Sequence, residues 1–296
     1  MKFGQVEQLD SIDFDFATIS LESKQVLQSY DKKPMQFYFG GPGFSDKQYK
    51  GVLYPANTPI KNFLMAYANQ FNSIEVNATR YSTPKVNVLD NWISQVPKGF
   101  KFSMKVPQVV THRKDINHPD AKYKLEEFIT AVAHLNQYSG VSFAVMANYF
   151  KSSQLNELEK FISFWPIDTP LSIEFRDPSW FEQSVKLEWQ HLFKENNIIS
   201  LITDTPGRRD VAHFNLSSDE LFIRYVGDFA HSSDQIRIVN WVNKIKELRS
   251  IGLNKVWFYV HQPGENRSRI IDFYNMLIRK LNIEFDLDLK SPINYS

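Results

Sequence analysis

The sequence predicts an α/β fold, a single TIM-type (β/α)8 barrel, on three observations. Eight short apolar runs alternate with helical patterns from residue 36 onwards. Several of these runs finish on charged or amide residues, as in SIEVN, SIEFR and SLITD. The length of 296 residues is usual for one such barrel. In this fold the polar carboxyl ends of eight parallel strands form a catalytic face, which we call the mouth.

The first part of the chain stands outside this alternation. Residues 1–33 lack sustained periodicity and carry several acids, so we predict an N-terminal extension that packs across one end of the domain. The barrel domain is predicted over residues 34–296. Nothing in the sequence indicates an internal repeat or a second domain.

The first four strand–helix units follow in order. Apolar residues at helical spacing over 63–71 predict a helix after Pro59, and a second helix is predicted from near Pro84. A strongly amphipathic helix follows over 125–138, and Ser152 or Ser153 is the predicted cap of the fourth helix. The four strands are QFYFGG (36–41), SIEVN (73–77), FKFSMKV (100–106) and VSFAVMA (141–147).

The second half continues the alternation with one irregularity. Helices are predicted over 180–194, 235–250 and 268–281, but the turn-rich segment 205–219 predicts a sixth helix that is reduced or missing. A doubly wound open sheet is the alternative architecture, and the lack of a GxGxxG motif after strand one counts against it. The last four strands are LSIEFR (171–176), IISLITD (198–204), LFIRYVG (221–227) and VWFYVHQ (256–262).

Composition narrows the function classes. A formal net charge of +1 gives no global attraction to nucleic acid or to an acidic membrane surface. The absence of cysteine rules out disulfides, thiolate metal sites and cysteine nucleophiles. The chain opens without an apolar signal core, and no run reaches the ~20 apolar residues of a membrane span. We therefore expect a cytoplasmic protein that makes no membrane contact.

Polar pairs at the strand ends are the candidate site. Residues two apart on a strand point the same way, so each pair should face the barrel axis while its neighbours pack on helices. The alternative is a structural ion network, such as Glu174 with Arg176 or Arg224. The three pairs are Glu75 with Asn77, Ser103 with Lys105, and Glu174 with Arg176.

Lys105 and two histidines have alternative roles. Lys105 would serve as a Schiff-base or general-base lysine if its pKa were lowered, but such a lysine more often neutralises a carboxylate or binds an anion. His112 lies in the loop after strand three and His261 ends strand eight. A metal site could combine Glu75, Glu174, Asp204 and His261, but no local ligand spacing supports it, and we predict no metal ligands.

A set of motif residues recurs along roughly residues 36–260. They are Gly41, Tyr54, Pro55, Glu75, Asn77, Tyr81, Pro84, Trp92, Pro97, Phe100, Phe102, Lys105, Thr111, His112, Glu174, Phe175, Arg176, Ser179 and Trp180. Together these motifs resemble a bacterial family called domain of unknown function 72, or YecE-like, and Asp204 and Arg224 also stand where that family tends to have them. The resemblance implies a TIM-type barrel with a polar pocket at the strand carboxyl ends, and it implies no established reaction.

Three segments depart from the family pattern. Strand four reads FAVMANYF rather than a Gln-x-Pro pattern, strand seven ends RYVG where many members have Arg-x-His-Gly, and strand eight continues as VHQPGENRSR. All three lie at the mouth, so whether this chain takes the same ligand as its relatives is left open. Gly227 and Gly264 follow strands seven and eight, where barrels often bind phosphate.

Our main hypothesis is an enzyme that acts by acid–base chemistry on a small polar or anionic substrate, sugar-like or phosphorylated. The alternative is a nucleic-acid-binding or metal-dependent nucleic-acid-processing protein that uses the same mouth. The sequence identifies no cofactor. The catalytic candidates are Glu75, Lys105, Glu174 and Asp204, and the substrate-binding candidates are Asn77, Tyr81, His112, Arg176, Trp180, Arg224 and His261.

Overall fold

The structure is a computed structural model that describes residues 3–4, 6, 8–227, 232–262 and 269–296. It is an α/β fold in which the strands run parallel and alternate with helices. A strand is present at each of the eight predicted positions. These strands are β1 (Gln36–Gly40), β2 (Ser73–Val76), β3 (Lys101–Met104), β4 (Ser142–Val145), β5 (Leu171–Glu174), β6 (Ile198–Asp204), β7 (Glu220–Val226) and β8 (Lys255–His261).

The strands pair in two groups. Six form a parallel sheet in the order β1-β8-β7-β6-β5-β4, and β2 pairs with β3. Backbone hydrogen bonds also cross both gaps between the groups. Glu75 N donates to Gly41 O at 3.1 Å, which connects β2 to the end of β1. Val106 N donates to Phe143 O at 2.9 Å, which connects the end of β3 to β4.

The described residues contain nine α-helices, where the sequence predicts about seven. The additional ones are α1, inside the N-terminal extension, and the four-residue α4. Between β6 and β7 the structure has only a 3-10 turn at Arg209–Val211, in keeping with the reduced sixth helix. The helices are α1 (Leu21–Gln28), α2 (Phe63–Ala68), α3 (Val86–Ser94), α4 (Gln108–Thr111), α5 (Pro119–His134), α6 (Leu155–Ser163), α7 (Gln183–Glu195), α8 (Ser233–Ile251) and α9 (Ile270–Phe285).

Helix starts differ locally from the predictions. Ser152 and Ser153 do not cap α6, because they lie in a 3-10 turn, Ser152–Gln154, that precedes it. The helix predicted from near Pro84 begins at Val86. Residue 268, the predicted start of the last helix, lies outside the described residues.

One face of the strands carries a compact apolar cluster, and we call this face the inner face. Because side chains alternate along a strand, the residues between these members point the other way and pack against the helices in the larger core. The inner-face cluster consists of Val141, Phe143, Val145, Ile199, Leu201, Phe222, Trp257 and Tyr259.

The segment before β1 packs against the second half of the fold. Ser23 Oγ in α1 donates to Phe214 O at 2.7 Å, and Lys244 Nζ in α8 donates to Ala17 O at 3.1 Å. These contacts lie where the predicted extension meets the domain, and the boundary after residue 33 stays a prediction. Within the described ranges, no helix has the length and apolar character to cross a membrane.

Candidate functional site

Five ionisable side chains gather on the inner face near the carboxyl ends of the strands. Arg224 and His261 each stand two residues after a member of the inner-face cluster, Phe222 and Tyr259, so strand alternation carries them onto the same face. Each of the five residues is at most 5% exposed, so charges here are shielded from water. We call Glu75, Lys105, Glu174, Arg224 and His261 the mouth cluster.

A cluster of hydroxyl groups lies two residues before the mouth cluster on three of the strands. Tyr259 Oη is 2.5 Å from Ser73 Oγ and 2.8 Å from Ser103 Oγ. The two serines precede Glu75 and Lys105 by two residues, so their contact with Tyr259 fixes the inward direction of β2 and β3. Three strands are thereby locked together beneath the mouth cluster.

Arg224 is the centre of the mouth cluster. Its Nε donates to Glu75 Oε2 at 3.1 Å and its Nη2 to Glu75 Oε1 at 2.8 Å. Its Nη1 donates to Glu174 Oε2 at 2.5 Å. One guanidinium thus joins carboxylates from β2 and β5, which is the ion network that the alternative interpretation of these residues predicts.

Both carboxylates are held ionised. Burial alone would raise the pKa of Glu75, but Arg224 and His261 outweigh it and hold the pKa well below its ordinary value. Burial also opposes ionisation of Glu174, yet Arg176 and Arg224 lower its pKa to about 2. Neither group therefore carries a proton to donate near neutral pH.

His261 and Asn77 complete the contacts of Glu75. His261 Nε2 lies 2.9 Å from Glu75 Oε2, and Asn77 Nδ2 donates to Glu75 Oε1 at 2.8 Å. Burial lowers the pKa of His261 despite the nearby carboxylate, so the ring is neutral near neutral pH. With its hydrogen on Nε2, neutral His261 donates to Glu75. Both oxygens of Glu75 are then occupied.

Lys105 differs from the other members because its amine lacks a counter-ion. Among the described residues, no hydrogen bond or ion pair reaches Lys105 Nζ, and its nearest ring is Phe143, with the centroid 5.8 Å away. Burial and then Arg224 lower the pKa of Lys105 to about 7, with Arg176 adding to them and Glu75 and Glu174 opposing them. Near neutral pH about half of the molecules therefore carry an uncharged amine at this position.

Arg176 and His112 lie beside the mouth cluster and are less buried. Arg176 Nε donates to Glu174 Oε1 at 2.8 Å, and its guanidinium lies 4.5 Å from the ring centroid of Phe3. His112 Nδ1 is 2.9 Å from Thr111 Oγ1. Burial, followed by the charges of neighbouring cations, lowers the pKa of His112 to about 4, so its ring is neutral at physiological pH.

Three predicted site residues lie apart from the mouth cluster. Asp204 shares a face with Ile202, which packs in the core beneath the helices, because β6 points Leu201 to the inner face. On that face the carboxylate of Asp204 accepts hydrogen bonds from the side chains of Arg209 and Arg237, and one from Trp241 Nε1 at 2.8 Å. Burial raises its pKa, but Arg237 and then Arg209 outweigh this and lower it.

Trp180 and Tyr81 are the other two. Trp180 is fully buried, its ring stacks on Phe175 at 4.1 Å between centroids, and its Nε1 donates to Phe150 O at 2.6 Å. Tyr81 is 75% exposed and lies beside Arg80. Among the described residues, neither side chain forms a hydrogen bond or ring contact with the mouth cluster, so neither is assigned to the site.

Two hydroxyls on the inner face were not found by sequence reasoning. Ser172 precedes Glu174 by two residues, and Thr203 pairs in register with Arg224. Both are buried, and their hydroxyl oxygens have no hydrogen-bond partner among the residues described. Strand alternation could have identified Thr203, because it stands two residues after Leu201 and so faces the same side, whereas Asp204 faces the other side.

The described ranges contain no group of three or more His, Asp or Glu side chains arranged to hold a metal ion. In the mouth cluster a guanidinium, Arg224, fills the position between Glu75 and Glu174 that such a cation would take. Gly264, considered above for phosphate binding, lies outside the described residues.

Curated relatives match part of the chain. The UPF0759 protein YecE of Escherichia coli is 30% identical over 118 residues, which are 40% of this chain and 43% of YecE. The UPF0759 protein YunF of Bacillus subtilis is 24% identical over 174 residues, which are 57% of this chain and 61% of YunF. The chain therefore aligns with less than two thirds of the length of either relative.

Solved structures match more of it. A DUF72 family protein of Enterococcus faecalis superposes with a TM-score of 0.65 at 15% identity, covering 87% of this chain and 98% of its own. A DUF72 family protein of Thermotoga maritima superposes with a TM-score of 0.64 at 21% identity, covering 82% of this chain and 99% of its own. At these identities the likeness shows the shared fold alone. The family described as "Protein of unknown function DUF72" matches residues 38–291, so the predicted resemblance is confirmed and the chain belongs to that family.

Proposed function

We propose that the eight strands form a closed TIM-type barrel whose mouth is an active site. The hydrogen bonds from Glu75 to Gly41 and from Val106 to Phe143 support closure, because they link the two groups of strands at both edges. A barrel of this kind places its chemistry at the strand carboxyl ends, where the mouth cluster lies. A cytoplasmic location stays a prediction from the sequence.

The protein that this mouth supports best is an enzyme that acts by acid–base chemistry on a small polar or anionic substrate. One observation carries the proposal: Lys105 is a buried residue whose amine forms no hydrogen bond or ion pair with the described residues, beside a network of fixed charges. A structural ion network has no need of an unpaired amine, and burying one is costly. A lysine that acts as a base or a nucleophile needs a neutral amine with a free lone pair, which this position allows.

The remaining residues take supporting roles in the proposal. Arg224 holds Glu75 and Glu174 in place, and these carboxylates set the electrostatic potential at Lys105. Arg176 and His112, at the less buried edge, would contact the polar or anionic part of the substrate. Glu75 and Glu174 are then positioning carboxylates rather than the general acid or base of our first hypothesis, because they carry no proton to donate near neutral pH and their oxygens already accept hydrogen bonds from arginine side chains.

Ligand binding tests the proposal. Thermal unfolding would be followed with sugars, sugar phosphates and small carboxylates as separate additions to wild type and to Lys105→Met. We expect at least one compound to raise the midpoint of wild type but not that of the variant. Lys101→Met is the matched control, because Lys101 lies on the same strand at its other end and donates to Gln137 O at 2.6 Å.

A ligand that stabilises wild type and Lys105→Met equally would contradict the role of Lys105. Binding of single- or double-stranded DNA at low salt, with a steep loss on adding salt, would favour the nucleic-acid alternative instead. No feature of the described residues favours that alternative, and the net charge of +1 argues against it.

A further inference from the structure

We propose that Lys105 forms an imine with a carbonyl substrate, an aldehyde or a ketone, bound at the mouth. The inference rests on the proposed function and specifies the substrate class that the reactive amine would take. A lone pair on nitrogen can accept a proton, and the same lone pair can attack a carbonyl carbon.

Lys105 Nζ is the mouth-cluster atom best placed to act as a nucleophile. The oxygens of Glu75 and Glu174 all accept charge-assisted hydrogen bonds, which makes them poor nucleophiles. The chain contains no cysteine and no serine elbow of the GxSxG type. Among the described residues Lys105 Nζ accepts and donates no such bond, so its lone pair is available whenever the amine is neutral.

The surroundings suit both the neutral amine and the cation that a protonated imine becomes. Burial, Arg224 and Arg176 favour the uncharged amine before reaction, while His112 nearby is itself neutral at physiological pH. Once the imine forms and is protonated, Glu75 and Glu174 attract its charge. The ring centroid of Phe143 lies 5.8 Å from Nζ, within the range of a cation–π contact.

Unpartnered hydroxyls provide an independent sign of a ligand. Ser172 Oγ and Thr203 Oγ1 are buried on neighbouring strands and have no hydrogen-bond partner among the described residues. Thr203 lies in register with Arg224, at the level of the mouth cluster. Ser172 lies level with Phe143 and Ile199, one layer beneath. A substrate oxygen at the level of Thr203 would give its hydroxyl the partner that buried polar groups normally have.

The chemistry balances without an oxidant or reductant. Lys105 Nζ bonds to the carbonyl carbon while the carbon–oxygen π bond breaks, and one N–H proton moves to that oxygen to give a carbinolamine. The remaining N–H proton and the hydroxyl then leave as one water molecule, and the carbon–nitrogen double bond forms. A C–H bond beside the imine carbon becomes more acidic, so proton transfer can follow.

Reductive trapping tests the inference. The full-length protein would be incubated at pH 7 with glycolaldehyde, pyruvate or dihydroxyacetone phosphate, which carry no charge, a carboxylate and a phosphate, and then treated with sodium borohydride. Peptide mapping by mass spectrometry would locate the secondary amines. We expect labelling of Lys105 at least ~10-fold faster than that of the exposed Lys98, since burial lowers the pKa of Lys105 to about 7 and leaves about half of its amine neutral at pH 7.

The outcomes are distinct. Selective labelling of Lys105, absent in Lys105→Met, supports the inference, and the compound that gives it identifies the charge the mouth prefers. Labelling of Lys105 no faster than that of Lys98 with all three compounds overturns it. If ligands from the thermal panel still require Lys105 in that case, the proposed function stands and the amine acts on protons alone. The comparison with Lys98 is internal to wild type, so it holds even if Lys105→Met folds poorly.

Discussion

Arg224 grips Glu75 with two nitrogens, Nε and Nη2, one to each carboxylate oxygen, at 3.1 and 2.8 Å. The third nitrogen, Nη1, reaches Glu174 on another strand. One buried guanidinium therefore bridges two buried carboxylates, while the amine of Lys105 beside them forms no ion pair with the described residues. Arg224, Glu75 and Glu174 therefore form the fixed ion network of the site, and Lys105 is the member whose amine is available to react.

Removal of Arg224 should be strongly destabilising. Arg224→Met leaves buried Glu75 without its arginine and buried Glu174 with Arg176 alone, and breaking such a buried pair typically costs about 3–5 kcal/mol of unfolding free energy. Adding Glu75→Gln and Glu174→Gln removes the unpaired charges, so the triple variant should recover at least ~1 kcal/mol of that loss. Urea unfolding at pH 7.5 measures both quantities.

Arg208→Met is the matched control for Arg224→Met. Arg208 pairs with Asp210 at 2.6 Å near the surface, where a salt bridge contributes about 0–1 kcal/mol. A triple variant less stable than Arg224→Met alone would show that the carboxylates matter through contacts other than charge pairing.

Asp204 should behave as a structural residue. Asp204→Asn removes the charge that faces buried Arg237 and part-buried Arg209, so we expect a loss of about 3–5 kcal/mol in unfolding free energy. Because Asp204 points away from the inner face, any ligand found in the thermal panel should bind the folded variant with unchanged affinity, as titration calorimetry would show. Asp90→Asn, which alters an exposed pair with His134, is the control for stability. A weaker ligand affinity of Asp204→Asn would mean that Asp204 contributes to the ligand site.

The sequence predicts the strands better than it predicts the site. Alternation and strand-end charges are local properties, so β1 to β8 and the inward direction of Glu75 and Glu174 follow from neighbouring residues. Asp204 shows the limit, because its position at a strand end could not reveal that α8 brings Arg237 and Trp241 to it on the other face.

That the amine of Lys105 has no ion pair among the described residues could not be predicted for a similar reason. Sequence spacing shows that lysine and carboxylates share a face, but not that Arg224 takes up the carboxylates first. Which cation pairs with which anion depends on distances between strands far apart in the chain. Trp180 illustrates the same point, since a tryptophan beside polar strand ends is a fully buried core residue here.

Thr203→Val should separate ligand binding from stability. The change removes a hydroxyl without a partner among the described residues and keeps the side-chain shape, so the unfolding free energy should stay within about 0.5 kcal/mol or rise. The midpoint shift produced by a ligand should fall, because the ligand loses a hydrogen-bond partner. The measurement is thermal unfolding with and without that ligand.

Thr79→Val is the same substitution at a satisfied hydroxyl. Thr79 Oγ1 donates to Val76 O at 2.9 Å and to Lys105 O at 2.8 Å, so its loss should cost about 1–3 kcal/mol. Equal destabilisation by the two variants would mean that Thr203 has a bond in solution that serves the fold rather than a ligand.

The titration of Lys105 should make the unfolding free energy of the protein rise with pH above pH 7. Its pKa is lowered from 10.5 to about 7 in the folded chain by burial, Arg224 and Arg176, against Glu75 and Glu174. Between those values the unfolded chain binds a proton that the native chain does not, so this group makes stability rise with pH. Below pH 7 both states are protonated there, and the full cost of a buried charge is present.

Lys105→Met removes that cost and its pH dependence together. The variant should exceed wild type in unfolding free energy most at pH 6.5, and the difference should shrink by about 1.4 kcal/mol for each pH unit between 7.5 and 9.5. Urea unfolding of both proteins at each pH cancels the other titrating groups, and Lys98→Met, at an exposed lysine, gives the baseline. A difference that stays constant with pH would mean that Lys105 keeps an ordinary pKa, held by an anion in solution, and the reactive-amine role would then lose its basis.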